Sequence, residues 1–154
     1  LYFLKKLNLT SQITLISLSA IMIHLIIYTQ FYPILLDHDS GRKAGLDLID
    51  LKQNKTLSYD MNRNDQNWKT LSYSLEFYSR SRNKMIFKIS RLKKYKNKNY
   101  WIYTSEDEMI ELKNLKWIKK IKKYNHIYTS RINLNFFNPE KRSEMIENKY
   151  LIKI

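Results

Sequence analysis

One stretch near the start of the chain decides its fold class: ITLISLSAIMIHLIIYTQFYPILL, residues 13–36. It lies within a longer run, residues 7–36, that carries no formal charge. A bilayer core of about 30 Å is crossed by about 20 predominantly apolar residues in a helix. The sequence therefore predicts a transmembrane helix at residues 13–36, preceded by an N-terminal tail at residues 1–12.

The polar residues of this stretch are compatible with a lipid environment, because Thr and Ser can bond to carbonyl groups one helical turn earlier. The polar members are Thr14, Ser17, Ser19, His24, Thr29 and Gln30. An ionisable residue within a membrane is a candidate functional residue, but we favour a neutral His24 that bonds to a neighbouring helix. Two alternatives for the whole stretch are a secretory signal peptide and a buried helix of a soluble domain. No small-residue cleavage site follows it.

The rest of the chain is strongly basic. Of 154 residues, 28 are Lys or Arg and 14 are Asp or Glu, which gives a net charge of +14. All but two of the cations lie beyond Leu36. Such a charge favours nucleic acid, anionic lipid or acidic protein surfaces without choosing among them. The positive-inside rule places the C-terminal part on the cytoplasmic side or in its equivalent, the mitochondrial matrix.

The residue usage points to an organellar gene. The chain has no Val and no Cys, and only two Gly and two Pro, whereas Asn, Lys, Ile, Leu and Tyr are abundant. This pattern is typical of drift in an AT-rich genome. The first residue is Leu, which indicates a trimmed chain or a non-standard start codon. Together with the predicted span, these features suggest a mitochondrially encoded protein. Without Cys there is no disulfide and no thiolate metal site.

The start of the chain carries a family pattern. LKKLNLTSQ, residues 4–12, leads into the apolar run, which ends with QFYP, residues 30–33. Over its first 36 residues, the chain resembles subunit 8 of the mitochondrial F-type ATP synthase. Leu4 stands at that family's opening Leu, Ser11-Gln12 at its Ser/Thr-Gln pair and Pro33 at its exit proline. The departures are Tyr2-Phe3 for Pro-Gln, Lys5 for Asp and Leu15 for Trp.

This resemblance implies a structural, mitochondrially encoded subunit of the Fo sector and peripheral stalk in the inner membrane. Its helix would pack beside subunit a, its basic extension would lie in the matrix, and it would support proton-driven ATP synthesis without catalytic residues. Membrane lipid is a further expected partner, with cardiolipin near Arg42 and Lys43, whereas nucleic acid is not expected. Two alternatives are an accessory single-pass subunit of another respiratory complex and a mitochondrial ribosomal protein that binds rRNA.

Beyond the predicted span, residues 37–67 have the character of a polar connector, and residues 68–154 predict a small α+β domain. Alternating apolar residues predict strands at 71–77, 84–89 and 127–137, and an aromatic run predicts another at 100–104. Ser105 and Glu108 form a capping-box pattern that starts a predicted helix at 106–124. Asn138-Pro139-Glu140 starts a second one, which runs to about residue 148.

The sequence predicts no catalytic, cofactor-binding or metal-binding residues, and hence no enzyme. Two glycines cannot form a phosphate-binding loop, and no His and acidic residues have metal-site spacing. His38 between Asp37 and Asp39 fits a solvated cluster better than a weak cation site. The lysines and aromatic residues of Arg91 to Tyr103 fit RNA or anionic lipid headgroups, but we favour a solvated loop beside a strand.

Overall fold

The computed structural model describes residues 8–61 and 72–154 and divides into two compact units, Leu1–Asp37 and His38–Ile154. Predictions that fall on residues 1–7 and 62–71 lie outside the described residues. They include the family position at Leu4, the last part of the connector and the first residue of the strand at 71–77.

The first unit is one long apolar helix. It comprises α1 (Leu9–Ile26), a π-helical turn (Ile27–Phe31) and α2 (Tyr32–Asp37). The whole helix, Leu9–Asp37, has 29 residues and a mean hydropathy of 1.8, and none of its most apolar window is buried in the protein. At 1.5 Å per residue it is about 43 Å long, more than a bilayer core requires. The predicted apolar helix is confirmed, and it is compatible with a membrane span.

The π-helical turn explains how the helix continues past Pro33. Proline has no backbone N–H and its ring disturbs the preceding turn, so an uninterrupted α-helix is kinked or broken there. Here the Tyr32 N–H bonds to the carbonyl of Ile27, five residues earlier. This wider turn accommodates the proline, and the helix ends at Asp37, four residues beyond it.

The second unit contains a five-stranded mixed sheet in the order β2-β1-β3-β5-β4. Its strands are β1 (Thr56–Tyr59), β2 (Lys84–Ile86), β3 (Trp101–Ser105), β4 (Lys120–His126) and β5 (Glu147–Lys153). β1 is parallel to both β2 and β3, and β5 is antiparallel to both β3 and β4. The four strands other than β5 therefore point the same way, and their carboxyl ends meet at one edge of the sheet.

Helices cover both faces of this sheet. The helices described in this unit are α3 (Ser40–Asp50), α4 (Tyr73–Ser79), α5 (Ile89–Leu92), α6 (Glu106–Lys113) and α7 (Pro139–Arg142). Side chains alternate between the faces along a strand: Trp101 and Tyr103 of β3 join the core with α3 and α4, and Ile102 joins the core with α5 and α6. The predicted small α+β domain is confirmed.

The prediction of a connector at residues 37–67 is wrong for two of its segments. Residues 40–50 form α3, because Ala44 and Leu48 lie one turn apart and are both fully buried against the sheet. Residues 56–59 form β1, whose four residues are all buried. β1 is too short to show a periodic pattern, and it is buried on both faces of the sheet, so its residues do not alternate between apolar and polar.

Several other boundaries differ from the predictions. Residues 73–79 form α4 rather than a strand, and Ser72 caps it by accepting a hydrogen bond from the Leu75 N–H. The helix predicted at 106–124 ends at Lys113, and its last part is β4. Residues 129–131 and 134–137 form 3₁₀ turns instead of a strand. The helix at Pro139 ends at Arg142, and β5 begins where a helix was predicted to end.

Candidate functional site

Three hydroxyl groups of the apolar helix bond within the helix itself. Thr14 Oγ1 donates to the Thr10 carbonyl at 2.9 Å, Ser19 Oγ to the Leu15 carbonyl at 2.8 Å and Thr29 Oγ1 to the Leu25 carbonyl at 2.6 Å. Each bond reaches back one turn, as Ser and Thr do in apolar surroundings. These hydroxyl groups need no water to satisfy their hydrogens, so their presence does not conflict with lipid around the helix.

His24 also bonds within its own helix. Its Nδ1 lies 2.9 Å from the Ala20 carbonyl oxygen. A carbonyl oxygen can only accept, so Nδ1 carries the hydrogen of this bond. The predicted partner on a neighbouring helix is thus not needed for this nitrogen. The imidazole is anchored one turn back in the same way as the hydroxyl groups of the helix.

The residues at the predicted lipid site have contacts within the domain. Asp39 caps α3, because its Oδ1 accepts a hydrogen bond from the Arg42 N–H at 3.1 Å. The Arg42 guanidinium lies 5.9 Å from the centre of the Tyr78 ring on α4, which is a cation–π geometry. Arg42 and Lys43 are both half-buried. Arg42, which the sequence predicts to contact cardiolipin, therefore directs its positive charge at a ring of the protein itself.

The predicted cluster around His38 is divided between different roles. The His38 carbonyl accepts a hydrogen bond from the Ile127 N–H at 3.2 Å, which joins the start of the domain to the segment after β4. The Asp39 carboxylate is occupied as the helix cap. Within residues 8–61 and 72–154, no three His, Cys, Asp or Glu side chains are grouped as a metal ion would need.

A buried polar chain lies at the carboxyl edge of the sheet. Ser40 Oγ is 2.6 Å from the Tyr103 hydroxyl and 2.9 Å from His126 Nδ1. Burial raises the pKa of Tyr103. Burial, together with the nearby positive charge of Lys149, lowers the pKa of His126 to about 4. His126 is therefore neutral at physiological pH.

Ser and His in contact are also the residue types of nucleophilic catalysis. Ser40, however, is completely buried, so no substrate in solvent reaches its hydroxyl oxygen. The two hydrogen bonds join the first residue of α3 to β3 and β4. We interpret these hydrogen bonds as a structural connection between the helical layer and the sheet.

A second buried group is centred on Lys149 of β5, which is 1% exposed. Its Nζ lies 2.8 Å from the Tyr128 hydroxyl. Glu108, also 1% exposed, bonds through Oε2 to the Ser105 N–H at 3.1 Å. Burial and the charge of Asp60 raise the pKa of Glu108, against the opposing effect of Lys149. The sequence predicted Glu108 as a cap but gave no signal for a buried Lys149.

Two basic pockets lie at the opposite, amino edge of the sheet. The Tyr95 pocket has a volume of about 280 Å³ and is lined by Lys55, Thr56, Arg82, Lys84, Tyr95 and Tyr100, among others. The Trp117 pocket has a volume of about 320 Å³ and is lined by Lys96, Asn97, Lys116, Trp117, Ile118 and Lys119. Both are shallow depressions at the ends of strands, and each carries three cationic side chains.

These pockets revise the predicted basic aromatic stretch at Arg91 to Tyr103. Tyr95 and Tyr100 remain accessible in part, but Trp101 and Tyr103 are 2% and 1% exposed. The two buried rings belong to the core and cannot stack on a ligand. Trp117, which lies within the helix predicted at 106–124, lines a pocket instead, because α6 ends at Lys113.

No family model, curated protein or solved structure matches the chain. Two features of the chain bear on its function: a long apolar helix whose most apolar window is not buried in the protein, and a basic domain with charged pockets at one edge of its sheet.

Proposed function

We propose that this chain is a non-catalytic membrane subunit of the mitochondrial ATP synthase, as its resemblance to subunit 8 implies. The helix Leu9–Asp37 would anchor it in the inner membrane, and the basic domain from His38 onwards would lie in the matrix. The observation that carries the proposal is the 29-residue apolar helix, of which no part of the most apolar window is buried in the protein.

The exposed apolar surface of this helix supports an anchoring role. Burying one Leu or Ile side chain contributes roughly 1.5–3 kcal/mol. Large side chains all along the helix are about half exposed, among them Ile13, Ile16, Leu18, Ile21, Ile23, Leu25 and Ile26. Their exposure to water would be costly, and a bilayer removes that cost. The internally bonded hydroxyl groups of Thr14, Ser19 and Thr29 fit the same environment.

In this proposal the chain acts mechanically. Its helix would pack beside subunit a, and the small residues Ser17, Ser19 and Ala20 would allow close approach of another helix. The domain would contact the peripheral stalk and help it to resist rotor torque. Proton translocation would belong to other subunits, so no side chain of this chain has to titrate during turnover.

Native gel electrophoresis of mildly solubilised mitochondria from the source organism tests this assignment. An antibody against the C-terminal domain should detect the chain in the band that shows ATP hydrolysis activity in the gel. Co-migration with a different respiratory complex, while the ATP synthase band is intact, would instead support the accessory-subunit alternative.

Protease treatment of mitoplasts tests the proposed orientation. A domain in the matrix should resist added protease until detergent opens the inner membrane. A matrix enzyme and a protein of the intermembrane space serve as the protected and the exposed controls. Digestion of the domain in intact mitoplasts would reverse the orientation that the positive-inside rule predicts.

A further inference from the structure

We propose that the amino edge of the sheet binds single-stranded nucleic acid, through the Tyr95 pocket and the Trp117 pocket acting together. This inference is independent of the ATP synthase assignment, because it uses only residues of the second unit. It also departs from the sequence-based expectation that nucleic acid is not a partner.

The charge of the two pockets is uniform. Lys55, Arg82 and Lys84 line the Tyr95 pocket, and among the described residues neither pocket has an acidic side chain in its lining. Between residues 80 and 105 the chain has nine Lys and Arg residues and no Asp or Glu. Uncompensated cations near one another attract a chain of phosphates and release its counterions on binding.

The pockets are adjacent. Tyr95 lines one pocket, and Lys96, the next residue, lines the other. The loop that follows turns sharply, because Asn97 and Asn99 both adopt left-handed backbone conformations with φ of 63° and 55°. Asn is among the residues that tolerate this conformation. The two pockets are therefore lined by consecutive residues of one basic loop, and in this proposal an extended strand of nucleotides runs from one pocket to the other.

The two pockets also contain aromatic rings, which a site that binds only phosphate groups would not require. The rings of Tyr95 and Tyr100 lie 4.9 Å apart, inclined at 68°, and Lys55 Nζ lies 5.9 Å from the Tyr100 ring centre. Tyr95, Tyr100 and Trp117 pack on one side against the core, which holds them in place, and remain half-exposed on the other. Proteins that bind single-stranded nucleic acid without sequence preference stack its bases on aromatic side chains beside cationic ones.

The aromatic rings of the pockets favour nucleic acid over lipid headgroups, because headgroups offer no bases for the rings to contact. The chain enters the domain at His38, which bonds to Ile127 just after the carboxyl end of β4. The pockets lie at the amino ends of β1, β3 and β4 instead. Within this unit the pockets therefore lie at the other end of the strands from His38.

The direct test is fluorescence anisotropy with a labelled 12-nucleotide single-stranded RNA and the full chain in nanodiscs of neutral lipid. Two triple variants remove one pocket's charge each: Lys55→Gln with Arg82→Gln and Lys84→Gln, and Lys96→Gln with Lys116→Gln and Lys119→Gln. Each should weaken binding at least tenfold at 0.1 M salt. Each should also reduce the slope of log affinity against log salt by about 2, because every lost contact removes roughly 0.7.

The matched control, Lys52→Gln with Lys123→Gln and Lys141→Gln, removes equal charge outside the pockets and should change affinity less than twofold. An equal loss in the control would overturn the proposal, because binding would then follow net charge alone. Equal affinity for an oligonucleotide with abasic sites would overturn it as well, since the rings would contact no base. Binding to anionic vesicles without binding to RNA would assign the surface to lipid instead.

Discussion

Gly45 of α3 lies directly against Tyr78 of α4. A Cβ atom on Gly45 would stand 2.7 Å from Tyr78 Cβ and 3.0 Å from the Ser79 backbone nitrogen. Gly41, one turn earlier, faces α4 in the same way, because its Cβ would stand 3.1 Å from the Leu75 nitrogen. The chain has only these two glycines, and both allow one pair of helices to approach closely.

Gly45→Ala should therefore destabilise the domain, although Ala favours a helix over Gly by about 1 kcal/mol. The added methyl group meets backbone and a Cβ, neither of which can rotate away, and overpacking of this kind costs about 1–3 kcal/mol. We expect a lower thermal midpoint by circular dichroism of the full chain in detergent. Asp50→Ala at the exposed end of α3 is the control, and an unchanged or higher midpoint for Gly45→Ala would disprove the close contact.

The stability of the domain should fall as the pH drops from about 6.5 to about 4. His126 is neutral in the folded state because its pKa is about 4 there, whereas in the unfolded chain it takes up a proton near pH 6.5. The unfolded state thus binds more protons in this range, and acidification favours it by at most about 3 kcal/mol.

His126→Gln should flatten this dependence between pH 6.5 and 4.5, as measured by thermal denaturation at each pH. Asn125→Gln, which changes a neighbouring exposed residue without a titratable group, should keep the wild-type dependence. A His126→Gln profile that runs parallel to the wild type would show that His126 does not set the acid sensitivity.

Asp47 joins α3 to the edge strand of the sheet. Its Oδ2 lies 2.7 Å from Lys122 Nζ and 2.5 Å from the Tyr124 hydroxyl. Burial raises the pKa of Asp47, but these two hydrogen bonds outweigh it, so the pKa lies below its ordinary value. The carboxylate therefore stabilises the fold above about pH 4, and this contribution is lost at lower pH.

Asp47→Asn should cost about 1–2 kcal/mol at pH 7, an amount kept modest because Asp47 and Lys122 are about one-third exposed and solvent screens them. Asp50→Asn is the control. Combining Asp47→Asn with Tyr124→Phe should cost less than the sum of the single changes, since both remove the same bond. Strict additivity would mean that the two residues are not coupled.

A lysine in the middle of the apolar helix should prevent membrane insertion. Ile23→Lys places a charge near the bilayer centre at a cost of about 2.5–3.5 kcal/mol, which lowers the ratio of inserted to uninserted chain roughly 100-fold. Leu9→Lys at the helix end should insert normally, because its side chain can reach the interface. Engineered glycosylation sites in microsomes report both outcomes. Equal insertion of the two variants would argue against a span centred near Ile23.

The elements with strong, uniform patterns were predictable from the sequence. The apolar helix and the aromatic strand β3 occur close to their predicted positions. The start of α6 also agrees, because Ser105 and Glu108 specify a local bond that needs no tertiary context. These signals come from composition or from residues within one helical turn of each other.

In other segments the local pattern fitted both a helix and a strand, and tertiary contacts determined which of the two forms. The sequence of α4 alternates apolar and polar residues, as a half-buried strand does, but Tyr73 and Phe77 are 76% exposed and Leu75 is buried, which is the placement that a helix gives to residues two and four positions apart. The lysines of residues 119–123 suit a helix terminus, but they also suit an edge strand, where Lys discourages aggregation. β5 pairs with β3 and β4, each more than 20 residues away in sequence, a relationship that no short window reveals.

Some of the residues that line the pockets could be predicted from the sequence, and the others could not. The sequence identified the lysines and Tyr95 as a basic aromatic stretch, but residues 54–57, 82–84 and 116–119 join them only through the sheet. The parallel arrangement of β1, β3 and β4 brings their amino ends to one edge. Which rings remain exposed depends on packing, so Trp101 and Trp117 could not be distinguished beforehand.

Alkaline carbonate extraction of membranes that contain the wild-type chain directly tests whether the apolar helix anchors the chain in the bilayer. Carbonate at high pH strips proteins held by charge, and a basic domain bound only through its lysines would be released. If the helix Leu9–Asp37 crosses the bilayer, the chain stays in the membrane pellet together with a known integral protein. Recovery of the intact chain in the supernatant, alongside a known peripheral protein, would contradict the proposed anchor and the ATP synthase assignment with it.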